Sequence, residues 1–173
     1  MLLYLLDANV LITANNLYYP LKAVPEFWGW LEYKCAAGQL KVPVEILEEV
    51  TDEVGDWLLD RKDTFCLGET ANMDLVRDCV SRGYAPDLND SELVEVGNDP
   101  FLIAAALVAP HERVVVTTEV SKPTRRRGNR HIPDVCNSLG VQWCDSFAML
   151  RTLGFTTAWR NGSDLFGALS PRR

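Results

Sequence analysis

Carboxylates recur in this chain where α/β proteins place their chemistry. Asp7 follows the apolar run Leu2-Leu3-Tyr4-Leu5-Leu6, and Glu119 follows Val114-Val115-Val116-Thr117-Thr118. Asp99 stands with Asn98 just ahead of Pro100 and a long apolar stretch, Glu48 and Glu49 sit in an acidic segment, and Asp134 opens a later helical segment. A short continuous apolar run reads as a strand buried on both faces. Its last residue then lies at the carboxyl edge of the sheet, where open α/β sheets bind ligands. Carboxylates gathered there repel one another and stay partly protonated unless a cation compensates them. Oxygen donors without Cys or His favour a hard ion, Mg²⁺ or Mn²⁺, that keeps waters for substrate.

Each acid also has a plainer role. Asp7 and Asp99 are suited to cap the helices that follow them. Glu49 fits an exposed helix charge, and Glu119 and Asp134 have arginines nearby for surface pairing. Those separate roles do not explain why acids recur at strand ends and helix starts along one edge.

The totals suit a soluble globular protein of one domain: 173 residues, 47% hydrophobic and 24% charged. No apolar run approaches the roughly 18 residues of a membrane span, and the start lacks the pattern of a secretory signal. Five scattered cysteines without a CxxC pair read as reduced thiols of a cytoplasmic protein, and two histidines make a histidine-based metal site poor. The net charge of −7 looks wrong for nucleic-acid binding, yet five carboxylates around a cation would account for most of it.

The acids must be positioned by the elements around them. The pattern predicts a strand ending at Asp7, a short helix from Val10 to Leu17, and a helix from Pro25 to Gly38. A strand over Leu40 to Val44 leads into a helix from Glu45 to Asp60, where Leu47, Val50, Val54, Trp57 and Leu58 form one apolar face. Thr64 to Leu67 reads as a short strand or connector. A helix over Asn72 to Ser81 ends at Gly83, and Tyr84 to Asn98 carries only a weak polar signal. Asn98 or Asp99 starts a largely buried helix through Val108. A second buried strand follows at Val114–Val116, then the basic loop Val120 to Ile132, a short helix from Pro133 and a strand at Val141–Cys144. Asp145 caps a last helix to about Leu153. Residues 154–173 are expected to form a loosely held tail after a domain of residues 1–153. Strands alternating with helices give an α/β fold of three layers, with a mostly parallel central sheet flanked by helices.

In this order the motifs resemble PIN-domain ribonucleases, and in particular a bacterial PIN-like subgroup related to the toxin ribonucleases of toxin–antitoxin pairs. The resemblance rests on Leu5-Leu6-Asp7-Ala8-Asn9, Glu48-Glu49-Val50, Asn98-Asp99-Pro100-Phe101-Leu102-Ile103-Ala104 and Val115-Val116-Thr117-Thr118-Glu119. Tyr18-Tyr19, Phe27-Trp28 and Ile132-Pro133-Asp134-Val135-Cys136 add to it. It implies an acidic quartet of Asp7, Glu49, Asp99 and Glu119, accompanied by Asn9 and Thr117. Glu49 rather than Glu48 is chosen by its pairing with Val50. Glu119 stands where the family often has Asp, so Asp134 is an alternative or additional ligand.

The activity so implied is that of a hydrolase, an endoribonuclease using Mg²⁺ or Mn²⁺ to attack the RNA backbone with water. Residue chemistry alone would also allow DNA. Lys122, Arg125, Arg126, Arg127 and Arg130 are the expected contacts to RNA phosphates. An antitoxin protein and a second copy in a homodimer complete the implied partners, with no membrane. Tyr18, Tyr19, Phe27, Trp28 and Trp30 are better suited to core than to base stacking. Two other classes compete: a catalytically inactive PIN-like interaction module, and a phosphatase with Asp7 as nucleophile. The latter usually carries Asp-x-Asp, and Asn9 stands at the second position.

Overall fold

The computed structural model describes residues 1–161. Four strands, β1 (Leu3–Leu6), β2 (Leu40–Lys41), β3 (Arg113–Thr117) and β4 (Gln142–Asp145), form one all-parallel sheet in the order β2-β1-β3-β4. Leu6 pairs with Val116 and Thr117 with Asp145, so Asp7, Thr117 and Asp145 share the carboxyl edge. Tyr4, Leu5 and Leu6, and likewise Val114, Val115 and Val116, are all buried. Successive strand residues point to opposite faces, so both faces of the sheet are covered. The fold is therefore α/β, a central parallel sheet flanked by helices, as the sequence predicts.

Helix α1 (Ala8–Thr13) follows β1 and runs on as a π-helical turn through Ala14–Tyr18. Helix α2 (Pro25–Ala36) buries Phe27, Trp28, Trp30 and Leu31. The segment expected as one helix from Glu45 to Asp60 is two, α3 (Val44–Leu47) and α4 (Glu53–Leu59). The break has a physical cause in Asp52, whose carboxylate accepts from the Val54 and Gly55 N–H groups and starts a new helix. A Cβ on Gly55 would lie 2.1 Å from the Val50 carbonyl oxygen, so only glycine permits this close return. The apolar face survives the break: Leu47, Val50, Val54 and Leu58 are all buried. Helix α5 (Lys62–Phe65) follows, and the strand expected over 40–44 shortens to two residues, with Val42 in a lone bridge to Cys66.

Helix α6 (Met73–Asp78), capped by Asn72, continues as a second π-helical turn through Cys79–Tyr84. The polar stretch that follows contains α7 (Asp90–Val96), started by a reciprocal capping box between Asn89 and Glu92. Helix α8 (Asp99–Leu107) packs on β1 and β3 and buries Pro100, Leu102, Ile103, Ala104 and Ala106. Helices α9 (Ile132–Leu139) and α10 (Ser146–Thr152) complete the order; the Asp145 carboxylate caps α10 through the Ala148 N–H.

Within the tail expected to be loose from residue 154, two aromatic residues make contact with α2. Phe155 packs against Phe27 and Trp30, and the Trp159 indole N–H donates to the Glu26 carbonyl at 2.9 Å. The tail positions beyond 161 lie outside the described residues. Among the described residues, no helix is long and apolar enough to cross a membrane.

Candidate active site

The end of β1 delivers Asp7 into a buried position, 3% exposed, in front of α1. It occupies the cap position of that helix, yet its carboxylate makes no capping hydrogen bond. The Asp7 Oδ2 atom instead accepts from the Thr117 hydroxyl at 2.8 Å, across the β1–β3 pair. Thr117 is itself fully buried, and its oxygen accepts from the Glu119 N–H at 3.1 Å and the Asn9 amide at 3.4 Å. Asn9 closes the mesh by accepting from the Thr118 N–H at 3.1 Å. Asn9 and Thr117 thus hold the first carboxylate and the end of β3 in one hydrogen-bonded unit.

Helix α8 brings in Asp99 at its first turn. Burial raises its carboxyl from the ordinary 3.8 to about 8, with repulsion from Asp7, Glu119 and Glu49 adding to the rise. Burial also raises Asp7, to about 6; the Thr117 hydrogen bond opposes this, while Glu119 and Glu49 add to it. Glu49 lies on the turn after α3, exposed at the rim, and burial of its carboxyl raises its pKa against the influence of Asn98. Glu48, its neighbour, is not among the charges acting on Asp7 or Asp99. Four acids from four segments therefore share one electrostatic field at the carboxyl edge.

The four carboxylates do not close on a common point. Among the described residues, no group of three or more His, Cys, Asp or Glu side chains stands in ion-holding geometry. The donor set still suits a hard divalent ion, because its members are carboxylate oxygens and the two aspartates are buried. Asp7 and Asp99 are the short, buried members; Glu49 and Glu119 carry the longer side chains with which to close. Glu119 is already engaged on one side, its Oε2 accepting the Ile132 N–H at 2.7 Å at the start of α9.

Asp134 is differently placed. One oxygen accepts the Ser121 hydroxyl at 2.5 Å and the other the Lys122 N–H at 2.7 Å, so both tie down the basic loop. It does not act on Asp7 or Asp99 as Glu119 does. The structure brings it to the loop rather than to the acid cleft.

The five basic residues expected on phosphates divide in two. Arg127, in left-handed backbone at φ 53°, binds Glu92 through Nε at 2.7 Å and Asp87 through Nη1 at 2.8 Å. Arg130 donates to the Gly83 and Asp134 carbonyls and to Ser138. Both guanidinium groups pin the loop to the domain. Lys122, Arg125 and Arg126 are exposed and form no ion pair among the described residues. Arg125 and Arg130 line an open cleft with Asp99, Glu119 and His131, so cationic and anionic groups face the same space.

Two residues of the site have no counterpart in the sequence reading. Glu95, near the end of α7, lines the same cleft; its position four residues before Asp99 was a readable signal. Tyr84, 7% exposed, ends the second π-helical turn and bears on Asp99, lowering its carboxyl against the effect of burial. Nothing local in the sequence marks it, because its placement depends on how residues 79–84 pack against α8 and α9.

Residues 4–157 match the family described as a domain of unknown function, DUF4411. No curated protein and no solved structure matches the chain.

Proposed function

The chain belongs to the DUF4411 family, and we propose that it is a metal-dependent ribonuclease of PIN-like type that hydrolyses RNA phosphodiester bonds. The observation that carries this reading is the gathering of Asp7, Glu49, Asp99 and Glu119 at one sheet edge, where burial first and repulsion from the other three acids second raise Asp99 to about 8. A purely structural cluster of acids would have basic partners in place. Among the described residues these have basic groups only at the cleft's rim, where Arg125, Arg130 and His131 stand, the His131 Nδ1 atom 4.0 Å from Glu119 Oε2.

Asp7 and Asp99 would be the principal ligands of Mg²⁺ or Mn²⁺, with Glu49 and Glu119 as outer or water-bridged ligands. When bound, such an ion supplies positive charge that offsets the carboxylates, activates water and polarises a phosphodiester. The rest is the protein's own work. Thr117 donates to Asp7 and fixes which carboxylate oxygen faces the cleft, and Asn9 holds Thr117 and the Thr118 backbone in turn. Ile132 N–H restrains Glu119. Lys122, Arg125 and Arg126 are free to contact the phosphates flanking the scissile bond. RNA is preferred to DNA on the resemblance to PIN domains.

The test is cleavage of a pooled RNA, mapped end by end, with Mn²⁺ and with chelator. The wild type should cut only with the ion, and Asp7→Asn should lose at least 10²-fold, as when a ligand contributing about 3 kcal/mol to the transition state is removed. Cleavage that survives chelation, or an Asp7→Asn protein as active as wild type, would refute the reading.

A further inference from the structure

Among the described residues most aromatic rings lie in or against the core, with Phe27, Trp28, Trp30 and Phe65 fully buried. Tyr18 and Phe147 are not: they are 48% and 40% exposed, with ring centroids 5.0 Å apart, edge to face. They come from distant parts of the sequence. Tyr18 closes the π-helical turn after α1, and Phe147 lies in the first turn of α10. The register that pairs Thr117 with Asp145 sets the start of α10 beside the end of β3, at the carboxyl edge.

The two rings line a shallow, mainly apolar pocket whose wall includes Val10 and Thr118. Both residues also adjoin the hydrogen-bonded mesh of Asn9 and Thr117. Val10 follows Asn9 in the chain, and the Thr118 N–H donates to Asn9. The pocket therefore begins where the carboxylate mesh ends, and the exposed basic residues of the loop start four residues beyond Thr118 at Lys122. Aromatic shelf, acids and free cations lie along one edge of the sheet.

We infer that the Tyr18–Phe147 shelf binds a nucleobase of the RNA strand whose backbone enters the acid cleft, so that the substrate is single-stranded at that nucleotide. This rests on the ribonuclease reading above. Every base has a π face, and stacking on exposed aromatic rings is tolerant of sequence. A base within a duplex is covered on both faces by its neighbours and cannot reach the shelf without unstacking. An apolar partner side chain would fit the same rings. The continuity with the acid mesh favours the base, since a strand lying across the edge passes both features.

The test compares wild type with the Tyr18→Leu/Phe147→Leu protein, which keeps apolar bulk but removes both rings; unchanged melting establishes that it is folded. Three probes are used with Mn²⁺: a single-stranded oligoribonucleotide with one mapped cleavage site, the same strand with single abasic positions, and its duplex. Wild type should prefer the single strand, and one abasic position beside the cleavage site should raise KM about tenfold with little change in kcat. The double variant should show that raised KM on the intact strand and no longer distinguish the abasic one. A folded double variant with wild-type KM, still sensitive to the abasic position, would overturn the inference and leave the ribonuclease reading intact. It would then favour a protein contact for the shelf. Absence of any ion-dependent cleavage by wild type would overturn the reading and the inference together.

Discussion

Two buried aspartates at one end of this sheet meet opposite fates. Asp134 receives two hydrogen bonds, one on each oxygen, and anchors the basic loop to the domain. Asp7 accepts from the Thr117 hydroxyl, with a lesser influence from the Asn9 backbone, and otherwise faces the charges of Glu119 and Glu49. The same contrast separates their surroundings. Arg127 is matched to Glu92 and Asp87, whereas the carboxyls of Asp7, Glu49 and Asp99 are raised by burial, and in the two aspartates by mutual repulsion as well. A satisfied ionic region holds its shape unaided. An unsatisfied one costs stability, and groups of that kind cluster at functional sites. The loop anchorage is of the first kind and the acid cleft of the second.

The largest expected effect lies in the cleft and separates two adjacent residues. Glu49→Gln should lower RNA cleavage by roughly 10²-fold, while Glu48→Gln should stay within a few-fold of wild type. Initial rates with Mn²⁺ decide this, and the reverse order would move the cleft's fourth wall by one residue. In the anchorage, Asp134→Ala should cost stability rather than metal affinity. It leaves the Ser121 hydroxyl and Lys122 N–H without their acceptor, on the order of 2–3 kcal/mol by denaturant melting. Weakened Mn²⁺ binding in a fully stable Asp134→Ala protein would erase the distinction between the two aspartates.

The sign of the pH dependence sharpens it further. Asp99 titrates near 8 in the folded protein and near 3.8 as an ordinary carboxyl, so the native state binds the extra proton between those values. Metal-free stability should therefore be greatest near pH 4, fall as pH rises towards 8, and level off above it. Asp99→Asn should flatten that fall. Melting in chelator across the range measures it, and stability that rises between pH 5 and 8 would contradict the assigned burial.

The smallest effect belongs to the free cations. Replacing Lys122, Arg125 and Arg126 with Gln should reduce the log–log salt slope of RNA binding by up to ~2 units, at about 0.7 per contact. Melting should hardly change. Adding Arg127→Gln should lower the melting temperature, because that residue ties the loop to α7. An unchanged salt slope would assign the loop to something other than RNA.

Much of this arrangement is legible in the sequence because it rests on local pattern. Apolar runs ending in Asp7 and at Thr117 forecast the strands, and Asp145 forecast its own helix. What escaped was set by competition or by long-range contact. The apolar face of residues 45–60 is periodic across a break, since Asp52 offers the backbone a stronger local partner than a continued helix would. The Asn89/Glu92 capping box was readable but obscured by few apolar neighbours. The roles of Arg127 and Asp134 turn on partners 35 and 12–13 residues away, which composition alone could not assign. Phe155 and Trp159 dock on α2 although Gly154 suggested a chain leaving the domain.

The most direct measurement of the central claim is the shift in melting temperature on adding Mn²⁺, made in parallel on wild type, Asp99→Asn and Asp134→Asn. If Asp7, Glu49, Asp99 and Glu119 form one cation site, saturating ion should stabilise wild type by about 1–3 kcal/mol through mass action. Asp134→Asn should start from a lower melting temperature and keep that shift, and Asp99→Asn should lose most of it. A wild type indifferent to Mn²⁺ and Mg²⁺, or an Asp99→Asn protein that responds as fully as wild type, would contradict the shared site.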